Sequence, residues 1–332
     1  MNLISNSYKE QRLSRRKPII INIPIQFSSA GFYNTILPQV LYSLSDYAVR
    51  IIFDFSSTRN INALVIPDLL CIGYDIKKKT GEPAVIYIPE TMEMETLKNY
   101  LYQIRFTELA RKRNQEIFKF IYSPTAGMSG KKIDPLCRTF FFDTKITRDE
   151  ISRIITFHIL EFADKYLSQF IYKEIEDNIQ KKDVIYKNAI VEFIREAVYN
   201  CSEHSESFSI ATLHANYNDK KVYISISDYG RGFLKSSTTK CHNEFDAIMK
   251  GVYKRCNERI YGLYNMVETV LRFNGMIRIH SNDIRVVFSP KWKEPFLNRT
   301  LEESYSFKKY NVRNTAFFKG AHIEIELPFA GE

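Results

Sequence analysis

Short runs of branched and aromatic residues alternate with helical patterns over residues 18–123. Ile19–Ile25, Val49–Phe55, Ala84–Ile88 and Ile117–Tyr122 are rich in Ile, Val and Phe and read as strands. Between them, apolar positions recur at helical spacing near Tyr33–Ser45, Leu64–Lys79 and Glu93–Ala110. The second helix follows Asn60-Ile-Asn62, gathers Ile66, Leu69, Leu70 and Ile72 near one face, and should stop at Gly81. Alternating strand and helix predicts a layered α/β domain over 18–123.

Pro124, Gly127, Gly130 and Pro135 then interrupt regular structure ahead of a strand-like run, Thr139–Phe142. Gly127-Met-Ser-Gly130-Lys131-Lys132 is not a phosphate loop, because two residues separate its glycines where four are needed. Thr147-Arg-Asp-Glu150 is a capping box, in which the threonine oxygen caps the first turn and Glu150 reaches back. Behind it Ile151, Ile154, Ile155, His158, Phe162, Tyr166 and Phe170 keep helical spacing. His158 lies in this apolar pattern, so a packed histidine is its simplest role. The sequence predicts a connector of strand and helix over 124–183 and a second domain over 184–332.

In that domain Ile190, Ile194, Ala197 and Cys201 form one helix stripe. Val222, Ile224 and Ile226 alternate with Tyr223, Ser225 and Ser227 as in a strand. Gly275 should end a helix and lead into a strand over Met276–His280, with a further strand at Arg285–Ser289. Residues 291–319 are basic and aromatic, and the run from Gly320 to Pro328 reads as a last strand.

Composition narrows the class. The chain has 332 residues, 45% hydrophobic and 26% charged, as expected of a globular protein of about two domains. No stretch approaches the roughly 18 apolar residues of a membrane span, and the first residues lack an apolar signal core. The five cysteines are scattered without a C-x-x-C pair, which fits reduced thiols and a cytoplasmic setting better than zinc. Net charge is +9, and residues 1–17 form a basic tail with five cations against Glu10. A solvated leader explains that tail, with nucleic acid an open alternative that no aromatic-basic module supports.

The chemistry concentrates in Glu196-Ala-Val-Tyr-Asn200-Cys-Ser-Glu-His204 and Asp228-Tyr-Gly230-Arg-Gly232. Glu196, Asn200 and His204, four apart, form one drifting helix stripe that presents a carboxylate, an amide and an imidazole together. Asp228 ends a strand, and Gly230 and Gly232 let backbone approach a ligand. An acid for a base edge, an amide for a hard cation and a glycine turn suggest binding of a magnesium nucleotide. The plainer alternatives are a surface carboxylate at Glu196 and an ordinary hairpin end at Asp228. Gly262, Leu263 and Tyr264 open a further helix, whose first amides suit an anion.

Glu-x-x-x-Asn and Asp-x-Gly-x-Gly resemble the N and G1 boxes of the GHKL ATPase family, which has the Bergerat fold. Tyr261-Gly262-Leu263-Tyr264-Asn265-Met266 resembles its G2 box, with Tyr264 where the second glycine usually stands. The Glu-Ala-Val-x-Asn-x-x-x-His wording is most similar to the anti-sigma-factor serine kinases. The resemblance spans residues 184–328. It implies ATP and Mg²⁺ as cofactors, Asn200 as metal ligand, Glu196 as general base and Asp228 as adenine reader, and it leaves His204 either near phosphate or closing the helix end. It also implies a mobile lid over residues 233–260, a regulatory protein partner, and either ATP hydrolysis or phosphate transfer to that partner. A nucleotide-sensing module without turnover, and a homodimer, stay open. The N-terminal pattern resembles a STAS domain, the anti-sigma-antagonist fold. Asn62-Ala63 stands where that family carries Asp-Ser, so no hydroxyl is available there for phosphate.

Overall fold

The computed structural model describes residues 18–45, 50–111, 116–121, 137–162, 191–201, 207–216, 218–237, 240–253, 262–301 and 303–328. It is a mixed α/β protein with a parallel and an antiparallel sheet. The chain divides into two compact units, Met1–Val65 with Leu69–Lys132, and Ile66–Asp68 with Ile133–Glu332. No helix among the described residues is long and apolar enough to cross a membrane. The basic tail at 1–17, the Pro/Gly stretch from 124 to 135, Ile190, His204 and Tyr261 lie outside the described residues.

In the first unit the four runs expected as strands contribute β1 (Ile19–Asn22), β3 (Ile51–Asp54), β5 (Ala84–Tyr87) and β6 (Phe118–Ile121). They form one parallel sheet in the order β1-β3-β5-β6. Two short strands the sequence did not indicate, β2 (Gln26–Phe27) and β4 (Asn60–Ile61), pair separately. The crossovers carry α1 (Leu37–Leu44), α2 (Ile66–Thr80), and α3 (Glu95–Gln103) with α4 (Phe106–Leu109). Right-handed crossovers in one direction along a sheet put the helices on one face. Ile21, Phe53, Ile86 and Phe120 are in register across the sheet, and Phe106 packs edge-on against Phe120 with ring centroids 6.2 Å apart. On the opposite face Ile20 and Ile121 are exposed.

Helix α2 starts and stops as its sequence predicts. Asn62 Oδ1 accepts from the Leu64 amide at 2.9 Å, closing the turn that leads into it. Gly81 ends it in the left-handed region (φ 79°), its amide bonded to the Lys77 carbonyl at 2.8 Å. Gly73 allows the close approach of α2 to the sheet, since a Cβ there would lie 2.3 Å from the Phe118 ring.

The second unit is built on a five-stranded antiparallel sheet, β10-β11-β9-β8-β7. Its strands are β7 (Cys137–Phe142), β8 (Ser209–Asn216), β9 (Lys221–Asp228), β10 (Met276–Phe288) and β11 (Val312–Pro328). The run at Thr139–Phe142, expected in a connector, is part of the edge strand of this sheet, and Thr139 and Thr212 share a buried 2.9 Å hydroxyl contact. Helix α5 (Arg148–Phe162) also belongs here, through Ile151 and Ile155. Its capping box is formed: the Thr147 amide donates to Glu150 at 2.9 Å and the Glu150 amide to Thr147 Oγ1 at 3.3 Å. His158 falls within α5.

One face of the sheet carries the core. Ile224 and Ile226 of β9, and Ile323, Ile325 and Leu327 of β11, pack with α5, α6 (residues 191–201), α8 (Glu244–Tyr253) and α9 (Leu263–Arg272). On the other face the acids of β11 pair with cations of neighbouring strands. Glu324 Oε2 lies 2.9 Å from Arg285, and Glu326 Oε2 lies 3.1 Å from Lys221. The separate strands expected at Met276–His280 and Arg285–Ser289 are one strand, β10, because a bulge at Ser281–Asn282 absorbs the break in its pattern. Likewise β11 starts at Val312, before Gly320. The aromatic segment ahead of it is divided: Phe296 and Phe307, on α10 (Lys293–Leu297) and α11 (Tyr305–Asn311), are fully buried, while Tyr305 and Tyr310 are exposed.

Candidate functional site

Asp228 is the last residue of β9, as the alternation predicts, and is almost wholly buried. Its Oδ1 accepts from the Gly230 amide at 2.6 Å, so the carboxylate folds the glycine turn back onto its own strand. Cys201 also bonds this carboxylate, which brings the end of α6, and with it Asn200, to the end of β9. Burial raises the Asp228 carboxyl above the ordinary range, against the opposing pull of His322 and of the Gly230 and Ala321 amides.

The glycines around Asp228 differ in what requires them. Gly232 has φ 75°, and a Cβ on it would lie 2.3 Å from Asn282 Nδ2. Gly320 has φ 110°, and its Cβ would lie 2.1 Å from the Asp228 carbonyl oxygen. Both positions therefore need glycine to close the local backbone. Gly262 does not: its φ of 165° is ordinary extended backbone, and a Cβ would meet no described atom within 4 Å. Having no side chain, Gly262 itself puts no cap on the first amides of α9.

The glycine turn and the α9 start share a neighbour. A Cβ on Gly251 of α8 would lie 3.5 Å from the Phe233 ring and 3.7 Å from Leu263. The Tyr264 side chain is buried and stacks on Phe296 with centroids 5.3 Å apart. The tyrosine at this position thus fills core.

Glu196 lies on α6 with Ile194, Ala197 and Cys201 in the core, but it is not a surface carboxylate. It is 4% exposed and faces Arg148 at the start of α5. Arg148 Nε lies 3.2 Å from Oε1, and Arg148 Nη2 donates to Oε2 at 3.3 Å. Arg195 Nε stands 3.7 Å from Oε1, and the Arg148 guanidinium lies 3.8 Å from the centre of the Tyr199 ring. A carboxylate held this way has its oxygens occupied by cations. Asn200, one turn on, is half-buried. His204 lies outside the described residues.

The expected lid is only partly open to view. Residues 254–261 lie outside the described residues. Before them, α8 puts Ile248, Met249 and Val252 into the core, so this part of 233–260 is packed structure and not a lid. The sequence reading also missed Glu244, Ser281 and Asn282, which are buried against the glycine turn. The one available signal was Ser281, Asn282 and Asp283, which interrupt the alternation of apolar and polar residues along β10.

Comparison of the chain with models of protein families and with curated proteins finds no match.

Proposed function

We propose that the second unit is a Bergerat-type domain that binds ATP with Mg²⁺, and that the first is a STAS-like docking domain in a regulatory protein. The observation that carries the reading is the convergence at Asp228. Its buried carboxylate is bonded to Cys201, directly after Asn200, and to the amide of Gly230. A carboxylate at that strand end can accept from an adenine amine, and the α9 start can take phosphate oxygens on the amides of Leu263, Tyr264 and Asn265. The five-stranded antiparallel sheet with helices packed on one face supports the same reading.

The residues fit a magnesium nucleotide better than a protein-only metal site. No group of three or more His, Cys, Asp or Glu among the described residues could hold a metal. Magnesium needs few protein ligands when a nucleotide supplies oxygens, and Asn200 would be the protein ligand. When bound, the ion would neutralise phosphate charge.

Two outcomes follow from the state of Glu196. With Arg148 withdrawn, Glu196 could orient or deprotonate water or a protein hydroxyl, giving hydrolysis or phosphate transfer. With Arg148 in place the domain would bind nucleotide without turning it over, and the ion pair favours this second outcome for the chain on its own. A partner that drew Arg148 away would switch the first on. The test is calorimetric titration of the whole chain with a Mg²⁺-loaded, non-hydrolysable ATP analogue, repeated with Asp228→Asn. Binding that the substitution weakens at least tenfold supports the reading; no binding, or equal binding by both proteins, overturns it.

A further inference from the structure

We propose that Glu244 is a positioning residue that holds both glycine segments of the nucleotide site in place; this rests on the ATP-binding reading above. Glu244 opens α8 and is 6% exposed. Its Oε2 accepts from the Ser281 hydroxyl at 2.6 Å and from the Leu234 amide at 3.1 Å. Its Oε1 accepts from Asn282 Nδ2 at 2.6 Å. One carboxylate therefore ties three elements together: α8, the bulge of β10 and α7 (Gly232–Ser236), the short helix that begins at the second glycine of the Asp-x-Gly-x-Gly run.

The bulge residues carry the hold onward. Ser281 Oγ accepts from the Phe233 amide at 2.8 Å while donating to Glu244. Asn282, itself left-handed at φ 51°, donates through Nδ2 to the Arg231 carbonyl at 3.2 Å. Its Oδ1 accepts from the Gly320 amide at 3.4 Å. Gly320 is the residue whose missing side chain lets β11 pass against the Asp228 backbone. The network thus runs from Glu244 through Asn282 to Gly232 on one side and to Gly320 and Asp228 on the other. A buried, multiply bonded carboxylate fixes geometry because each broken bond strands a partner without water. Glu244, Ser281 and Asn282 are not among the residues proposed above to touch the nucleotide, so their effect on its binding passes through the glycines.

Two readouts on the whole chain separate positioning from mere stability: hydrogen exchange at the Phe233 and Leu234 amides, and affinity for the Mg²⁺-loaded ATP analogue. Both are measured well below the melting point. Glu244→Ala should speed exchange at both amides at least tenfold and weaken binding at least tenfold. Glu244→Gln keeps an acceptor for Asn282, and Ser281 Oγ can accept the new amide, so the Leu234 amide and the Ser281 hydroxyl proton lose their acceptor while the other bonds stay; binding should fall by no more than about threefold. Ser281→Ala, the milder change if Glu244→Ala does not fold, should expose the Phe233 amide and weaken binding in the same direction. Unchanged exchange in a folded Glu244→Ala or Ser281→Ala protein overturns the proposal, and so does faster exchange with unchanged affinity. If the parent protein binds no analogue, the nucleotide reading fails by itself; exchange then decides the clamp alone, faster exchange upholding it and unchanged exchange refuting it.

Discussion

Replacing Arg148 tests whether the Glu196 carboxylate is stored in an ion pair. At the 3.2 Å separation of Arg148 Nε and Glu196 Oε1, an effective dielectric constant of about 20 gives a gross attraction of about 5 kcal/mol. Desolvation of the nearly buried acid cancels much of this, and the guanidinium, about a third exposed, is partly screened. The net coupling should be about 2 kcal/mol. Arg148→Met keeps an apolar chain on Tyr199 but leaves Glu196, among the described residues, with the more distant Arg195. Its expected cost is about 2–3 kcal/mol, since a buried charge loses its main partner. Glu196→Gln alone should cost about 1–2 kcal/mol, and the double variant about 2 kcal/mol less than the sum of the two. Urea denaturation of the four proteins gives the cycle, in which the Tyr199 contact cancels. Release of labelled phosphate from ATP gives the functional half: Arg148→Met should turn over faster than the parent, and adding Glu196→Gln should remove the gain. A coupling below about 0.5 kcal/mol would refute the stored-carboxylate argument. Unchanged turnover in an Arg148→Met protein that still binds ATP would remove Glu196 as the base.

Three further outcomes are expected. Asp228 has its carboxyl raised by burial above an unfolded value of about 3.9, so the folded protein favours the protonated form. Its contribution should grow as pH falls through the folded value towards 3.9, and Asp228→Asn should flatten that part of the stability profile in denaturant titrations; identical profiles would count against it. Gly320→Ala would drive a Cβ to 2.1 Å from the Asp228 carbonyl at a positive φ and should cost at least about 3 kcal/mol by thermal melting. Gly262→Ala, with ordinary backbone and open space, should change the melting temperature little yet weaken ATP-analogue binding; an unaffected affinity would take the α9 start out of the site.

Periodicity made most of the fold legible. Apolar runs announced the four parallel strands, and the capping box and Gly81 fixed helix ends through local hydrogen bonds that involve only neighbours in sequence. What the pattern could not give was pairing over distance. Thr139–Phe142 reads as a strand anywhere, but only its partner β8 makes it an edge of the second sheet. The bulge at Ser281–Asn282 was read as a break because an extra residue in a strand shifts the alternation exactly as a turn would. At the candidate site, Asp228 and Gly232 were legible because strand ends and positive φ restrict residue type. Glu196 was legible as a candidate and not in its setting, since Arg148 lies 48 residues earlier, on another helix.

Tyr264 shows how a departure from the proposed motif is decided by packing. A glycine at this position would free the backbone, but it would also remove a ring that stacks on Phe296, which in turn stacks on Tyr253 of α8 at 5.5 Å. The three rings join α8, α9 and α10, so the aromatic residues of the 291–319 segment do part of the work of ordering the helix that opens at Gly262. A loosened α9 start would lower affinity for any anion by the entropy needed to re-form it. Tyr264→Gly should therefore restore the usual motif and still weaken the site, through lost stacking that also destabilises the unit by about 3 kcal/mol or more. Tyr264→Phe keeps the ring and should leave both analogue affinity and melting temperature close to the parent. Tighter analogue binding by the glycine variant would show that the tyrosine obstructs the site and does not support it.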